Sequence, residues 1–328
     1  MAMYTVKKIS INEIPDFKIG QAQNHECATG CTAIVCEQGA VSGVDVRGGS
    51  PGTRDTDALN PVNNREKTHA VLLSGGSAYG LDAAGGVMRF LEERKIGRDV
   101  AVTIVPNVCA AVLFDLKCGS SDIRPDKDMG YSACKNAFDG ISWQSGNYGA
   151  GTGATVGKIA GIEYAMKGGI GSCALQYNDL YVGAIIAVNC VGDVYDYQSG
   201  KIIAGARSKG KNEFAGSEKL FLEQYKSGKD IFSGNTVIGC IMTNANLTKS
   251  QATKLASLGQ NGIARMIRPA HTIFDGDTIF TMCSGKIDTR LDAVGILACR
   301  AVENAIIDAI KSATSYSIFP SATDFKSV

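Results

Sequence analysis

A short turn followed at once by an apolar strand pattern constrains this chain more than any other stretch. Residues 233–235 are Ser, Gly and Asn, which favour turns, and Thr236 follows them directly. An apolar run with high β propensity then extends from Val237 to Met242. The irregular segment 208–230, rich in charged residues, precedes the turn. The pattern predicts a core strand that begins abruptly at a threonine, immediately after a loop.

A threonine in this position admits two interpretations. In the first, the strand is an ordinary core strand and the loop is only a connection; the stretch on its own favours this interpretation. In the second, the chain is cut just before Thr236. The hydroxyl would then be a nucleophile, and the freed α-amine, which titrates at roughly pH 8, would be its base.

The composition is that of a soluble globular protein. Of the 328 residues, 45% are hydrophobic and 20% are charged, and the net charge of +1 includes no basic stripe for nucleic acid. No apolar run approaches the roughly 18 residues of a membrane span. Residues 1–17 lack the apolar core of a signal peptide. We therefore expect a cytoplasmic protein that binds neither nucleic acid nor membrane.

Cysteine and histidine usage argues against disulfides and against a metal site. The eleven cysteines contain no CxxC pair. Those inside apolar runs are expected to be small buried residues of a reducing compartment; they are Cys36, Cys190, Cys240 and Cys299. The three histidines lack the spacing of metal ligands; they are His25, His69 and His271. We expect no metal and no cofactor.

Strand patterns often follow one another without an intervening helix. Residues 32–46 predict two short strands around a turn at Gly39, and residues 100–105 predict another strand. Two further neighbouring strands are expected near 171–176 and 181–190. Such adjacent strands indicate an antiparallel or mixed sheet with helices packed on it rather than a strict βαβ series.

The C-terminal third contains the clearest helical patterns. Thr248 is placed to cap a helix over 248–265, and Asp288 is placed to cap another over 289–312. No linker composition divides the chain, and segment 206–234 has the composition of a loop. We expect an α+β fold in a single domain that spans the whole chain.

Two further segments, one rich in glycine and one with paired aspartates, do not match a known sequence motif. The Gly-rich segment 147–169 fails as a P-loop because Thr152 stands where Gly is required, and its glycines are spaced wrongly for dinucleotide binding. Lys158 in this segment has few polar neighbours, which is unusual for a solvated lysine. Asp275 and Asp277 precede a strand and would face one side of an extended segment, although a polar turn is the plainer interpretation.

Seven motifs occur in a fixed order along the chain. They are HECATGCTAIVC, GVDVRGGSPGTRDTDAL, LLSGGSAYGLDAAGGV, GAGTGATVGK, AVNCVGDV, NTVIGCIMTNANLTK and FDGDTIF. This ordered set, over roughly residues 15–300, resembles the L-aminopeptidase/D-esterase family, which includes β-aminopeptidases and nylon-oligomer hydrolases. The resemblance implies an α-β-β-α sandwich related to the N-terminal-nucleophile hydrolases. It also implies a precursor that cuts itself before a Ser or a Thr.

Carried over to this sequence, the resemblance implies a cut between Asn235 and Thr236. The products would be a large chain, 1–235, and a small chain, 236–328, which remain partners. Thr236 would be the nucleophile and its α-amine the base.

The resemblance also implies roles for five other residues. Asp275 and Asp277 match polar positions that orient the nucleophile, and Lys158 matches a lysine beside it. Asn189 matches an amide that helps to stabilise the oxyanion. Phe114 aligns with a Tyr whose hydroxyl serves the oxyanion in some members, so a backbone N–H is expected to replace it here.

Together these expectations describe a self-processing amidohydrolase that works through an acyl-enzyme. Its substrates would be short amides with a free amino end: small peptides, β- or D-amino-acyl amides, or ω-amino-acid oligomers. A homo-oligomer is also expected. Two alternatives stay open, namely an acyltransferase of the ornithine acetyltransferase type and an uncut, non-catalytic binding protein.

Overall fold

The computed structural model describes residues 6–210, 212–224 and 234–325, so Ser233 and most of the loop that ends there lie outside the described residues. The strands are β1 (Lys7–Ile9), β2 (Lys18–Asn24), β3 (Thr29–Val46), β4 (Thr53–Arg54), β5 (Lys67–Ser74), β6 (Arg98–Asp99), β7 (Ile104–Val105), β8 (Val108–Val112), β9 (Thr155–Val156), β10 (Met166–Lys167), β11 (Gly169–Tyr177), β12 (Leu180–Asn189), β13 (Asp193–Tyr195), β14 (Ile202–Ala204), β15 (Thr236–Ala245), β16 (Ile267–Arg268) and β17 (Thr278–Ile287). The helices are α1 (Ala83–Glu93), α2 (Lys127–Phe138), α3 (Ser217–Glu223), α4 (Lys249–Met266) and α5 (Leu291–Ser312).

One mixed sheet dominates the fold. Its strand order is β1-β11-β12-β15-β17-β3-β5-β8-β4, with β2 paired to the first part of β3. Two neighbouring pairs, β15 with β17 and β5 with β8, are parallel, and the others are antiparallel. The long strand β3 joins two halves, because its residues 31–35 pair with β5 and its residues 41–46 pair with β17.

Three buried apolar clusters define the layers. The first combines Ile34 and Val71 of one half of the sheet with Ile185 and Ile238 of the other, so the two halves pack face to face. Because side chains alternate along a strand, the neighbours of these residues face outward. In β3 and β5 they pack on α1 and α2, and in β12 and β15 they pack with α4 and α5. The layers therefore follow the predicted α-β-β-α order.

Two strand predictions are wrong. Residues 32–46 do not form two strands around Gly39; they belong to the single strand β3. Gly39 has a φ of 69°, and it lies where the pairing with β5 is irregular, so the chain bulges there and continues in the same strand. Residues 100–105 do not form one strand. Only the last two of them are extended, as β7, and they pair with the two-residue strand β6.

The helix boundaries follow the predicted caps in one case only. The Thr248 hydroxyl accepts the N–H of Gln251 at 3.3 Å and caps α4 as predicted. Asp288 does not cap α5, because Arg290 occupies the position before that helix. The Asp288 carboxylate instead accepts from the side-chain amide of Asn246 at 2.8 Å.

The apolar environment of the cysteines agrees with prediction. The four cysteines that the sequence places in apolar runs are all buried, and each of the eleven, all within the described residues, is a free thiol. Within the described residues, no helix combines the length and apolar character needed to cross a membrane.

Strand β15 is the element that positions the candidate site. All ten of its residues are buried, and it lies between β12 and β17 in the middle of the sheet. Its first residue is Thr236, which pairs with Asn189 at the end of β12. The predicted strand therefore begins at the threonine, which β12 pairs on one side, while the pairing of β15 with β17 begins two residues later at Ile238.

Candidate active site

The Thr236 hydroxyl lies against the peptide bond that precedes it. Thr236 is 5% exposed, and its hydroxyl donates to the carbonyl oxygen of Asn235. The same carbonyl oxygen accepts the backbone N–H of Gly276 at 3.0 Å. A hydroxyl, a peptide carbonyl and a backbone donor are thus gathered at the start of β15.

Asn189 lies opposite Thr236 and is completely buried. Its side-chain nitrogen Nδ2 donates to the carbonyl oxygens of Gly234 and Phe114, each at 3.1 Å. Its Oδ1 accepts from the Thr155 N–H at 3.0 Å and from Lys158 Nζ at 2.9 Å. Both amide hydrogens are therefore engaged before any substrate binds.

Lys158 is buried, with 3% exposed, as its apolar surroundings predict. Its Nζ donates to the carbonyl oxygens of Thr155 and Asn189, each at 2.7 Å, and to Asn189 Oδ1. Three such bonds use every donor of an ammonium group. Burial lowers the pKa of Lys158 to about 7. The lysine therefore contacts Asn189, the cross-strand neighbour of Thr236, and not Thr236 itself.

Residues 271–277, the acidic loop, flank Thr236 on the other side. Asp277 Oδ1 accepts the N–H of Val237 at 2.7 Å. Asp277 Oδ2 accepts the N–H of His271 at 3.0 Å and lies 2.9 Å from His271 Nδ1. The carboxylate thus ties the residue after Thr236 to His271. A φ of 58° places His271 in the left-handed region, which non-glycine residues seldom adopt.

Asp275 has a different environment from Asp277. Its Oδ2 accepts the N–H and the hydroxyl of Thr272 at 2.8 and 2.6 Å, whereas its buried Oδ1 has no partner among the described residues. Burial, and then the negative charge of Asp277, raise the pKa of Asp275 to about 7. The Asp275 carboxyl can therefore carry a proton near neutral pH.

A small cavity of about 140 Å³ opens beside Thr236. Its walls are Ser50–Gly52, Ser77 and Ala78, Val112–Phe114, Gly234–Thr236 and Phe274. At Ala78 it meets a wider depression of about 700 Å³, the outer cleft, which carries Arg54, Arg124 and three aspartates. The outer cleft therefore lies beside the cavity at Thr236 and is not lined by Thr236 itself.

Phe114 lies at this cavity, as the resemblance implies, and has no hydroxyl to offer. Gly234 has a φ of 64°, and a Cβ there would lie 2.2 Å from the Phe114 ring. The residue two before Thr236 must therefore be glycine on grounds of both conformation and space.

The Gly-rich segment that fails as a nucleotide loop instead brings two backbones together. Gly157 has a φ of 73°, and a Cβ there would lie 2.0 Å from the carbonyl carbon of Gly205. This close approach places the following residue, Lys158, beneath Asn189. Across the described ranges, no group of three or more His, Cys, Asp or Glu side chains is arranged to hold a metal ion.

Comparison with known proteins places the chain in a family. The model of peptidase family S58 matches residues 10–322. This chain belongs to peptidase family S58. It is an amide hydrolase of the aminopeptidase and amidase class, which agrees with the resemblance.

Relatives within family S58 span most of this chain. An uncharacterized aminopeptidase of Mycobacterium leprae is 40% identical over 289 residues, which are 85% of this chain and 76% of that protein. A 6-aminohexanoate-oligomer endohydrolase of Paenarthrobacter ureafaciens is 29% identical, over 91% of this chain and 85% of that protein. The L-aminopeptidase D-Ala-esterase/amidase of Ochrobactrum anthropi, described as a variant of the Ntn hydrolase fold, has a TM-score of 0.68 at 18% identity, covering 93% of this chain and 86% of that chain. The structural match confirms the predicted fold class.

The structure brings every predicted S58 site residue into one cluster, and it adds residues that the sequence analysis missed. The additions are Gly276, which donates to Asn235, His271, which contacts Asp277, and Thr155, which binds Asn189. The spacing of the three histidines assigns His271 no role. Its place in the polar run HTIFDGD, four residues before Asp275, is the signal that could have revealed it.

Proposed function

We propose that this S58 chain cuts itself between Asn235 and Thr236, and that the released Thr236 is the nucleophile of an amide hydrolase. The observation that supports the proposal best is the contact of the Thr236 hydroxyl with the Asn235 carbonyl. The peptide bond to be cut and the hydroxyl that would cut it are adjacent at the start of a rigid, central strand.

The first reaction is an acyl shift within the chain. The Thr236 oxygen bonds to the Asn235 carbonyl carbon, and the carbonyl oxygen carries the negative charge of the tetrahedral intermediate. The bond between that carbon and the Thr236 nitrogen then breaks, and the hydroxyl proton ends on the new α-amine. Water hydrolyses the resulting ester, which leaves a carboxylate on Asn235 and restores the threonine hydroxyl.

The second reaction repeats this chemistry on a substrate. The neutral α-amine of Thr236 accepts the hydroxyl proton, and the threonine oxygen attacks the substrate amide. Once the cut end at Gly234 and Asn235 moves away, the Nδ2 group of Asn189 loses one carbonyl partner and becomes available to the oxyanion. The amine product leaves, and water hydrolyses the acyl-enzyme.

The cavity beside Thr236 supports a small substrate. Its lining contains no ionisable side chain, and its volume of about 140 Å³ suits a short acyl group. The outer cleft carries aspartates and arginines, so it can hold either charged end of a short peptide. We propose short amides with a free amino end as the substrate class: small peptides, β- or D-amino-acyl amides, or ω-amino-acid oligomers. A cytoplasmic homo-oligomer remains part of this proposal.

Intact mass spectrometry of three purified proteins tests the proposal. The natural chain should yield two masses, those of 1–235 and 236–328. Thr236→Ala should fold and give only the full-length mass, because it lacks the attacking hydroxyl, and Thr236→Ser should still be cut, at a different rate. A Thr236→Ala protein cut as efficiently as the natural chain would show that another agent cuts it.

A further inference from the structure

We propose that the self-cleavage reaction and substrate hydrolysis use different oxyanion donors: the backbone N–H of Gly276 serves the cut, and the side-chain amide of Asn189 serves the substrate. This inference rests on the proposed function and assigns a catalytic contact to Gly276. It follows from where each donor points in the uncut chain.

The Gly276 N–H already points at the carbonyl oxygen that becomes the oxyanion. The distance from the Gly276 nitrogen to the Asn235 oxygen is 3.0 Å, within the range expected of an oxyanion donor. The N–H carries a partial positive charge, so its bond strengthens as negative charge builds on that oxygen. No rearrangement is needed for this donor to act.

The acidic loop holds the Gly276 N–H in place from both sides. On one side, the Asp275 carbonyl accepts the Ser50 N–H at 2.8 Å, and the Asp275 side chain is bound by Thr272. On the other, the Asp277 carboxylate binds the Val237 N–H, one residue beyond Thr236. These bonds fix the donor relative to the strand that carries the scissile bond, which is the preorganisation that oxyanion stabilisation needs.

The Asn189 amide is occupied elsewhere in the uncut chain. Its two N–H groups donate to the carbonyls of Gly234 and Phe114, which uses its full donor capacity. To stabilise charge on the Asn235 oxygen, Asn189 would have to break a buried hydrogen bond first, which costs free energy. The cut removes the constraint on Gly234, so Asn189 becomes a free donor only afterwards.

An ester at residue 276 tests the first half of the proposal. The natural Cys240, which follows Gly239, allows a synthetic C-terminal segment to be ligated without a change of sequence. In that segment glycolic acid replaces Gly276, so an ester oxygen replaces the N–H. After refolding, the first-order rate of cutting should be about 100- to 1,000-fold lower than in the all-amide ligated chain, the usual effect of losing one oxyanion donor.

A second ester provides the matched control. The Asn246 N–H, just beyond the far end of β15, donates to the Ile287 carbonyl at 2.7 Å and lies outside the candidate site, so an ester there should leave the cutting rate nearly unchanged. Equal thermal unfolding temperatures for the two ester chains would exclude misfolding as the cause. Equal cutting rates would overturn the role of Gly276 while leaving the proposed function intact. An all-amide chain that never cuts would overturn both.

Asn189→Ala tests the second half. Once this variant has been cut, its kcat should be about 100- to 1,000-fold lower than that of the natural enzyme, with a modest change in KM. The rate of self-cleavage should fall by a much smaller factor. If kcat and the self-cleavage rate fall by the same factor, the two reactions share Asn189 and the division of donors is wrong.

Discussion

The two flanks of Thr236 use their hydrogen-bonding groups differently. On the β12 side, the Asn189 amide, the Lys158 ammonium and the backbone around them satisfy one another completely. On the side of the acidic loop, two buried atoms have no partner among the described residues, namely Asp275 Oδ1 and His271 Nε2. The first flank holds the uncut chain in position. The second has two buried polar atoms that are not used in holding the chain.

Each flank also contains a buried ionisable group with a shifted pKa. Burial brings the pKa of Lys158 down to about 7 and that of Asp275 up to about 7, so the two groups approach neutral pH from opposite directions. Near pH 7 each group can exchange a proton at little cost in free energy. Each flank therefore contains one buried group whose charge changes near pH 7. Of the two flanks, only the acidic loop also has unpaired buried atoms among the described residues.

Among the substitutions at the two flanks, Asp277→Ala should have the largest effect, and that effect is on stability. It leaves the N–H groups of Val237 and His271 without their acceptor, and each buried, unsatisfied donor costs about 1–3 kcal/mol. Urea unfolding in a Thr236→Ala background should show a loss of about 2–6 kcal/mol. Asp288→Ala, which removes one exposed hydrogen bond, is the matched control and should lose less than about 1 kcal/mol. If Asp277→Ala and Asp288→Ala lower the free energy of unfolding equally, Asp277 does not anchor β15.

Asp275→Asn should have a smaller effect, visible in the pH dependence of stability. The pKa of Asp275 is raised in the folded chain, to about 7, so its contribution to stability is complete below its ordinary value of 3.8 and is lost as pH rises towards 7. Asn does not titrate. Between pH 4 and pH 7, the free energy of unfolding should therefore fall less in the variant than in the natural sequence, both measured in the Thr236→Ala background. If the free energy of unfolding falls equally in the two proteins between pH 4 and pH 7, the raised pKa of Asp275 is wrong.

The smallest effect expected is a shift in the pH–rate profile of Lys158→Met. A cationic neighbour disfavours the Thr236 ammonium and lowers its pKa, so removing that charge should move the acidic limb of kcat/KM to higher pH, by about half a unit. Lys167→Met is the matched control. Lys167 is fully buried, donates to three backbone carbonyls, and has a pKa lowered by burial to about 8. Its backbone pairs with Thr155, but the three acceptors of its Nζ are Gly151, Ala154 and Gly168, which are not site residues. If the acidic limb of kcat/KM stays in place in both variants, the role of Lys158 is structural only.

Local patterns were sufficient for the elements near Thr236. The turn and apolar run predicted β15, and the shortage of polar neighbours predicted the burial of Lys158. Local patterns were not sufficient at Gly39, because a positive φ is compatible with a turn between two strands and with a bulge inside one. The tertiary pairing of β3 with β5 and β17 decides between them.

The contact of Gly276 with Asn235 could not have been predicted from the sequence, whereas the polar run around His271 is a signal for its contact with Asp277. Gly276 reaches Asn235 because the acidic loop precedes β17, which pairs in parallel with β15 and brings together segments about forty residues apart. A backbone donor leaves no signature in residue type. The side-chain assignments at Asn189 and Asp277 came from the family resemblance, and the structure shows the environment of each.

Trapping the acyl-enzyme tests the central claim most directly. Matured protein is mixed with the p-nitrophenyl ester of a short acyl group, quenched with acid, digested with pepsin at the same low pH, and mapped by tandem mass spectrometry. The low pH keeps the α-amine of Thr236 protonated, so an acyl group on the threonine oxygen does not move to that nitrogen. A burst of one p-nitrophenol per active site is expected, with one acyl group on Thr236 Oγ1 at the start of 236–328. An acyl group on any other side chain, or steady hydrolysis of the ester with Thr236 never acylated, would contradict the claim.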